Sequence, residues 1–516
     1  MSQTKPSTRT EALTGIAAGL VAGALGVGLA ELFAGLVAGA PSLVLAIGAL
    51  MIELQPAGAK EVVVALFGTA DKLALNIFVL VIALGIGGGL GFLARRYWTP
   101  AAIGFGGVGV LALYASLRDP LVDPVLAVVS VTIAVGVSLV VLRRLLAAST
   151  PRVTPPARML DFDRRRFLGT TIALAGGAVA SGAVGRLLLE RRAQEQAAVP
   201  SVPQPGHTAP PPPTGAELAV DGISPLVTPN KQFYRIDTAL LTPRLDVANW
   251  KLEVNGMVDR PFTMTYQELI DMPLIEQYVT IACVSNEVGG GLVGTAKWRG
   301  ARLQDILDRA GVRDGATQIV GRAYDGFTVG FPTSWLDNPE REAMVAVAMN
   351  DESLPPEHGY PARLIVPGLF GYVSATKWLT NIELTRLEDF NAYWVPRGWA
   401  KEAPILTQSR IDVPRSPGGT LTAGTLPVAG VAWAPDRGVS RVEVQVDGGS
   451  WTEAEVSNPI SDATWVQWLY RWEASPGQHT LSVRATDGTG EVQTDQMTGA
   501  APDGARGHHT ISVNVA

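Results

Sequence analysis

Apolar and polar positions divide this chain into two unlike halves. Up to about residue 190 the apolar residues run in long blocks. Residues 11–39, 73–94, 101–117 and 123–142 each approach or exceed the ~17–20 residues that carry a helix across a ~30 Å hydrocarbon layer. Residues 167–189 form a fifth block, richer in Gly and Ala. Two shorter runs, 41–52 and 61–70, flank Pro56 and Gly58 and predict a re-entrant or surface hairpin. Residues 197–216, with four prolines at 210–213, predict a stiff, extended spacer that holds the outer half of the chain off the bilayer. Beyond residue 217 the pattern shortens. Trp250 to Val254 alternates into Asn255-Gly256, a strand and turn, and Thr265 with Glu268 is a capping box for a helix to Ile270. Leu303, Ile306, Leu307 and Ala310 recur at helical spacing before a Gly311 stop. These elements predict an α+β domain over 217–405. After Pro404 regular short alternating strands take over, including Val442, Val444 and Val446 before Asp447-Gly448-Gly449, then Trp465–Trp472, His479–Ala485 and Thr510–Val515. They predict an immunoglobulin-like β-sandwich over 406–516, packed on tryptophans that include Trp433, Trp465 and Trp468. The expected order is thus transmembrane region 1–190, Pro-rich linker 191–216, α+β domain and sandwich.

Charge separates along the same line. Residues 1–200 hold 17 basic and 11 acidic side chains, and residues 201–516 hold 24 and 36. An acidic globular half offers no footprint for a phosphate backbone, so nucleic acid is not an expected partner. Lys5, Arg9, Arg95, Arg96, Arg143, Arg144 and the arginines to Arg166 all fall on one side if there are five spans. By the positive-inside tendency that side is the cytoplasm. The prediction is a multi-pass protein of the cell membrane whose globular half is extracytoplasmic. Arg164-Arg165-Arg166-Phe167-Leu168 is similar to a twin-arginine export signal, although Gly169 replaces the usual polar residue; an ordinary basic anchor is the alternative. Glu31 is the main carboxylate within a span, a functional candidate unless it faces water. None of the five histidines lies in a span, so no haem is evident there.

The chain has one cysteine, which excludes an internal disulfide, a Cys-based zinc site and a Cys-ligated iron–sulfur cluster. Three segments carry chemistry. In Tyr278-Val-Thr-Ile-Ala-Cys283-Val-Ser-Asn286-Glu-Val-Gly-Gly-Gly291, a β-branched strand delivers the thiol to a glycine-rich loop. That arrangement suits a bulky ligand approaching the main chain closely; a buried structural thiol is the alternative. The stretch from His358 through Arg363, Pro367, Gly368, Gly371 and Ser374 to Lys377-Trp378 sets three basic donors around an apolar strand and a turn, a combination that clamps phosphate. Phe233-Tyr234-Arg235 is a shorter aromatic and basic segment.

Together these segments resemble the sulfite oxidase family of molybdopterin-dependent oxidoreductases over residues 228–516. The resemblance is carried by Cys283-x-x-Asn286, Trp298-x-Gly300 with Leu303, and the block His358 to Trp378. It implies a molybdenum–molybdopterin cofactor with Cys283 on the metal, a soft thiolate for a soft-ligated metal. It further implies that His358, Arg363 and Lys377 contact the pterin and its phosphate, with Phe233, Arg235, Asn286, Asp325 and Ser374 in cofactor-binding segments. One extra residue stands between Gly371 and Lys377, which loosens the assignment of Ser374. Where sulfite-oxidising members place arginines after the cysteine segment, this chain has Glu287, Val288 and glycines, and Trp399 stands where they carry a tyrosine. An anionic substrate needs positive charge at its end point, so these departures speak against sulfite. The expected activity is two-electron oxygen-atom transfer on a small molecule, with a separate electron-transfer partner and a possible homodimer through the terminal domain. A cysteine hydrolase with His358 as base, or a non-enzymatic surface protein, are the alternatives.

Overall fold

The computed structural model describes residues 8–55, 71–119, 122–149, 157–194, 201–243, 245–338, 341–415 and 419–516. The chain divides into two compact units, residues 1–196 with 239–242, and residues 197–238 with 243–516.

The first unit is helical: Thr8–Leu36, Leu43–Leu54, Asp71–Ala94, Trp98–Leu117, Pro124–Ala148 and Ala157–Gln194. All but Leu43–Leu54 are long and apolar enough to cross a membrane. Helix Thr8–Leu36 is the hub, packing on Asp71–Ala94, Pro124–Ala148 and Ala157–Gln194. In lipid the hydrophobic effect does not drive helices together, so close packing at small residues must. A Cβ added at Gly19 would strike the backbone of Gly87 and Gly91, at Gly28 that of Ala178, and at Gly35 that of Gly185. Glu31 is buried rather than water-facing. Its Oε2 accepts from Ser42 Oγ at 2.6 Å and its Oε1 from Val44 N at 3.1 Å. It thus secures the start of Leu43–Leu54, where Ser42 is the N-cap, a structural duty that accounts for a carboxylate in this setting. Residues 41–52, expected as one arm of a hairpin, belong to that short helix. The other arm, 61–70, lies outside the described residues.

In the second unit the Pro-rich stretch does not stand clear as a spacer. Gly206 N donates to Leu274 O at 2.9 Å, Glu276 N to His207 O at 2.9 Å, and Asn458 Nδ2 to Thr214 O at 2.7 Å. Extended backbone adds to a free strand edge whenever its few N–H groups and carbonyls can reach it, and here they do.

The α+β part has strands β1 (Lys251–Gly256), β2 (Phe262–Thr265), β3 (Leu274–Ala282), β4 (Val293–Arg302), β5 (Gln318–Ala323), β6 (Thr328–Pro332), β7 (Met344–Met349), β8 (Glu352–Ser353), β9 (Arg363–Ile365) and β10 (Leu379–Thr385). One sheet has the order β2-β1-β10-β5-β6, with β1 and β10 parallel; the other runs β3-β4-β7-β8, with β9 also on β7. The short helices form where the pattern places them. Tyr266–Ile270 starts at a complete Thr265/Glu268 capping box, and Leu303–Ala310 stops at Gly311 with φ +69°. Ile275, Val279 and Ile281 of β3, Trp298 of β4, Met344 and Ala346 of β7 and Ile365 of β9 form one core with Phe233. Each fully buried aliphatic side chain there contributes roughly 1.5–3 kcal/mol. This core fixes the ends of β3 and β9, from which the site is built.

The C-terminal part has strands β11 (Gln408–Val413), β12 (Gly424–Trp433), β13 (Val439–Val446), β14 (Thr452–Glu453), β15 (Glu455–Val456), β16 (Val466–Ala474), β17 (Gly477–Asp487) and β18 (His509–Val515). Two four-stranded antiparallel sheets, β11-β12-β16-β15 and β14-β13-β17-β18, share one core that includes Val428, Trp468, Val444 and Leu481. Of the tryptophans expected to pack it, Trp468 does so, but Trp465 serves the junction with the α+β part. Its Nε1 donates to Leu226 O at 2.7 Å and its main-chain N to Thr280 Oγ1 at 2.7 Å. A partner offsets the cost of burying the Trp465 indole N–H, and that partner lies across the junction.

Candidate active site

Cys283 follows the last residue of β3 and is 9% exposed. Its N–H donates to Leu292 O at 2.9 Å, and Asn286 N donates to Cys283 O at 3.0 Å, so residues 283–286 close a tight turn. Asn286 Oδ1 accepts from Leu292 N at 2.7 Å and pins the glycine loop from inside. From outside, Arg410 of β11 donates to Gly290 O at 2.8 Å, while its other nitrogens meet Ser224 Oγ at 2.8 Å and Asp412 at 2.7 Å. Gly289, at φ +77°, leaves room for the His509 ring where a Cβ would collide with it. The cysteine loop is therefore held by the β-sheet domain as well as its own.

The basic residues converge. Arg363 opens β9 and Lys377 lies just before β10; both are buried. Lys377 Nζ bonds Asp237 Oδ2 at 3.1 Å and Glu357 O at 2.9 Å, and Arg235 Nε reaches the same Asp237 oxygen at 3.0 Å. Among the described residues Arg363 makes no carboxylate pair: it donates to His358 O at 3.2 Å, lies 5.3 Å over the Trp298 ring, and its Nε is buried without a partner. Burial holds Arg363 down to about 10, with Tyr234 and Asp237 opposing the shift. Burial likewise holds Lys377 down to about 8, against Asp237 and assisted by Arg363.

His358 is neutral. Its Nε2 sits 2.9 Å from Asn230 O, and a carbonyl only accepts, so Nε2 carries the hydrogen and Nδ1 a lone pair. Burial drives its pKa to about 4, against the Asn230 bond and helped by Arg363 and Lys377. Nδ1 is buried with no partner among the described residues. Tyr234 joins the two ends of the site. Burial pushes its hydroxyl pKa up, the nearby Cys283 adds to that, and Arg363 opposes it. A Cβ built on Gly371 would lie 3.7 Å from Tyr234 Oη and 3.6 Å from Ala282 O, which brings the Gly371–Ser374 turn to the end of β3.

Among the residues expected from the sequence, Cys283, His358, Arg363, Lys377 and Arg235 thus fall in one cluster. Phe233 walls it, stacking on Tyr234 at 5.2 Å and edge-on to His358 at 5.6 Å. The polar atoms of two others are already engaged: Ser374 Oγ donates to Leu369 O and Phe370 O, and Asn286 Oδ1 fastens the loop. Asp325 shapes the β5–β6 turn by accepting from Phe327 N at 3.2 Å, and Tyr324 N ties that turn to Trp378 O at 2.8 Å. Tyr234, Asp237, Asn230 and Ser285 join the site without being expected there from the sequence. Tyr234 stands inside a segment singled out for its aromatic and basic character, whereas the other three carry no local signal.

Residues 239–394 match the family described as oxidoreductase molybdopterin binding domain. Mitochondrial sulfite oxidase of Mus musculus is 30% identical over 344 residues, 57% of this chain and 61% of that protein. Residues 239–394 are thus a molybdopterin-binding oxidoreductase domain similar to that of the sulfite oxidases. Nitrate reductase [NADH] 1 of Oryza sativa subsp. japonica is 27% identical over 317 residues, 49% of this chain and 34% of that protein. The solved sulfane dehydrogenase SoxCD from Paracoccus pantotrophus shares the fold at TM-score 0.50 and 23% identity, covering 58% of this chain and 85% of that one. This chain spans about 61% of the length of the sulfite oxidases it matches. The cofactor of this domain class is molybdenum carried by molybdopterin, and the residues present fit it. Among the described residues two buried cations, Arg363 and Lys377, face one carboxylate, Asp237, which leaves charge for a phosphate; His358 Nδ1 is an acceptor with no donor; and a thiol ends a strand beside side-chain-free backbone.

Proposed function

We propose that this chain is a membrane-anchored, extracytoplasmic molybdenum-dependent oxidoreductase that carries out two-electron oxygen-atom transfer on a small molecule. One observation carries the reading: Arg363, 4% exposed and without a carboxylate partner among the described residues, beside Lys377, which shares Asp237 with Arg235. A buried cation left this way costs several kcal/mol unless an anion completes it. Arg363, Lys377 and Arg235 would hold the cofactor's phosphate, His358 Nδ1 would offer the pterin an acceptor, Cys283 would ligate the metal, and Asn286, Ser374, Phe233 and Asp325 shape the surrounding turns. The cofactor supplies the two-electron chemistry when bound; the protein orients it and keeps water from the buried cations.

At the substrate end Glu287, Val288 and glycines, not arginines, come directly after the cysteine segment, and Arg410, which reaches the loop from β11, spends its donors on Gly290, Ser224 and Asp412. The substrate is therefore an uncharged oxygen donor or acceptor, a sulfoxide-like molecule rather than a sulfite-like anion. The hydrolase alternative is weaker: the Cys283 sulfur meets the Ser285 hydroxyl, and a His358 held near 4 is a poor base for a thiol.

Five N-terminal helices long and apolar enough to span support a multi-pass membrane protein with Arg95, Arg96, Arg143, Arg144 and the arginines to Arg166 on the cytoplasmic side, exported with a twin-arginine-type segment at 164–168. Residues 217–405 are the cofactor domain. The terminal two-sheet domain, 406–516, is immunoglobulin-like and self-associating, and a separate carrier exchanges the electrons. Metal analysis of the purified full-length protein tests the core claim. About one molybdenum per chain, lost in Cys283→Ala, is expected; metal-free protein from cofactor-replete cells refutes it. A panel of sulfoxides and sulfite with artificial electron carriers tests the substrate class.

A further inference from the structure

Cys283 Sγ lies 2.9 Å from Ser285 Oγ. Backbone geometry makes this contact: the Asn286 N to Cys283 O bond at 3.0 Å folds the turn and swings the residue-285 side chain back over residue 283. The turn cannot easily open, because Asn286 Oδ1 holds Leu292 N at 2.7 Å and Arg410 holds Gly290 O at 2.8 Å. The backbone that carries the hydroxyl is thus fixed before any ligand arrives. In the thiol either atom can donate; a sulfur that has given its proton to become a metal ligand can only accept, so the hydroxyl then donates.

We propose that Ser285 is a positioning residue that tunes the metal's sulfur ligand. Its hydrogen bond withdraws electron density from Cys283 Sγ, favours the reduced metal and fixes the ligand's orientation. Hydrogen bonds to ligating sulfurs set reduction potentials in this way. The inference rests on the reading of Cys283 as the molybdenum ligand and adds to it a device built from the serine that this chain places between Cys283 and Asn286.

The test uses full-length protein purified with its cofactor, as wild type, Ser285→Ala, Ser285→Thr and Cys283→Ala. Molybdenum content is measured first, then the midpoint of the Mo(VI)/Mo(V) couple by redox titration followed by electron paramagnetic resonance. Ser285→Ala should keep its molybdenum and shift to lower potential. The expected change is on the order of tenfold in the oxidised-to-reduced ratio, about 59 mV for one electron. Ser285→Thr, which keeps the hydroxyl, should stay with the wild type. An unchanged midpoint in metal-replete Ser285→Ala overturns the proposal while leaving the cofactor reading intact. So does an equal shift in the threonine variant, and so does molybdenum loss from Ser285→Ala alone, since that is a retention role. Wild type without molybdenum, or Cys283→Ala with a full complement, overturns the reading and the proposal together.

Discussion

Replacing Arg363 with Met separates the cost of the site from its purpose. In the cofactor-free protein burial lowers the guanidinium pKa from 12.5 to about 10. At 1.36 kcal/mol per pH unit this is roughly 3 kcal/mol by which the folded state disfavours the charge at neutral pH. Arg363→Met removes that cost at similar volume. It also forfeits the bond to His358 O, about 1.5–3 kcal/mol for a charged donor, and the stacking over Trp298, about 1 kcal/mol. The net expectation is a cofactor-free protein within about 1 kcal/mol of wild type in stability. Cofactor retention should fall sharply, since a charge-assisted bond to phosphate is lost. Thermal unfolding of full-length wild type and variant from cofactor-deficient cells, beside molybdenum content from replete cells, reads both effects. A cofactor-free variant more than about 2 kcal/mol less stable than wild type would refute the reasoning, for it would mean that Arg363 already has its counter-charge in the protein. Undiminished molybdenum would equally remove it from the phosphate site.

Lys377 gives the site a pH signature. Its folded pKa, about 8, lies below the ordinary 10.5, so the charged form is disfavoured in the folded state and the full cost is present below pH 8. Between pH 8 and 10.5 the unfolded chain binds more protons than the folded one, and stability contributed by this group rises. Denaturant titrations of cofactor-free wild type minus Lys377→Met should show that rise; a flat difference would count against it. Arg410→Ala leaves Gly290 O without its donor and weakens the hold on the cysteine loop, at about 1.5–3 kcal/mol for bonds to a charged group. Faster amide hydrogen exchange across 287–292 is the readout, and unchanged exchange would mean the loop stands alone. Glu31→Ala removes the acceptor of Ser42 Oγ and Val44 N and should cost about 1–3 kcal/mol of helical-unit stability in detergent unfolding; Glu31→Gln, which keeps an acceptor, should lose less.

Elements whose cause is local were legible in the sequence. The apolar blocks need only length and composition to mark helices able to span a membrane. Thr265 with Glu268 fixes one short helix, Gly311 ends another, and the valine alternation before Asp447 marks a strand, since each depends on contacts within a few residues. The thiol at a strand end, and the His358–Lys377 block, could be singled out because the chemistry is carried by residue types. What the tertiary structure alone decided are the relations between distant positions. No local pattern shows that Asp237 meets Lys377 across 140 residues, that Arg410 braces a loop 120 residues earlier, that Glu31 secures the helix after Ser42, or that Trp465 reaches Leu226 across the junction. Nor does composition reveal that Arg363 makes no carboxylate pair among the described residues. Charge balance along a chain is a sum, whereas the cost of a buried ion depends on which groups the fold sets beside it.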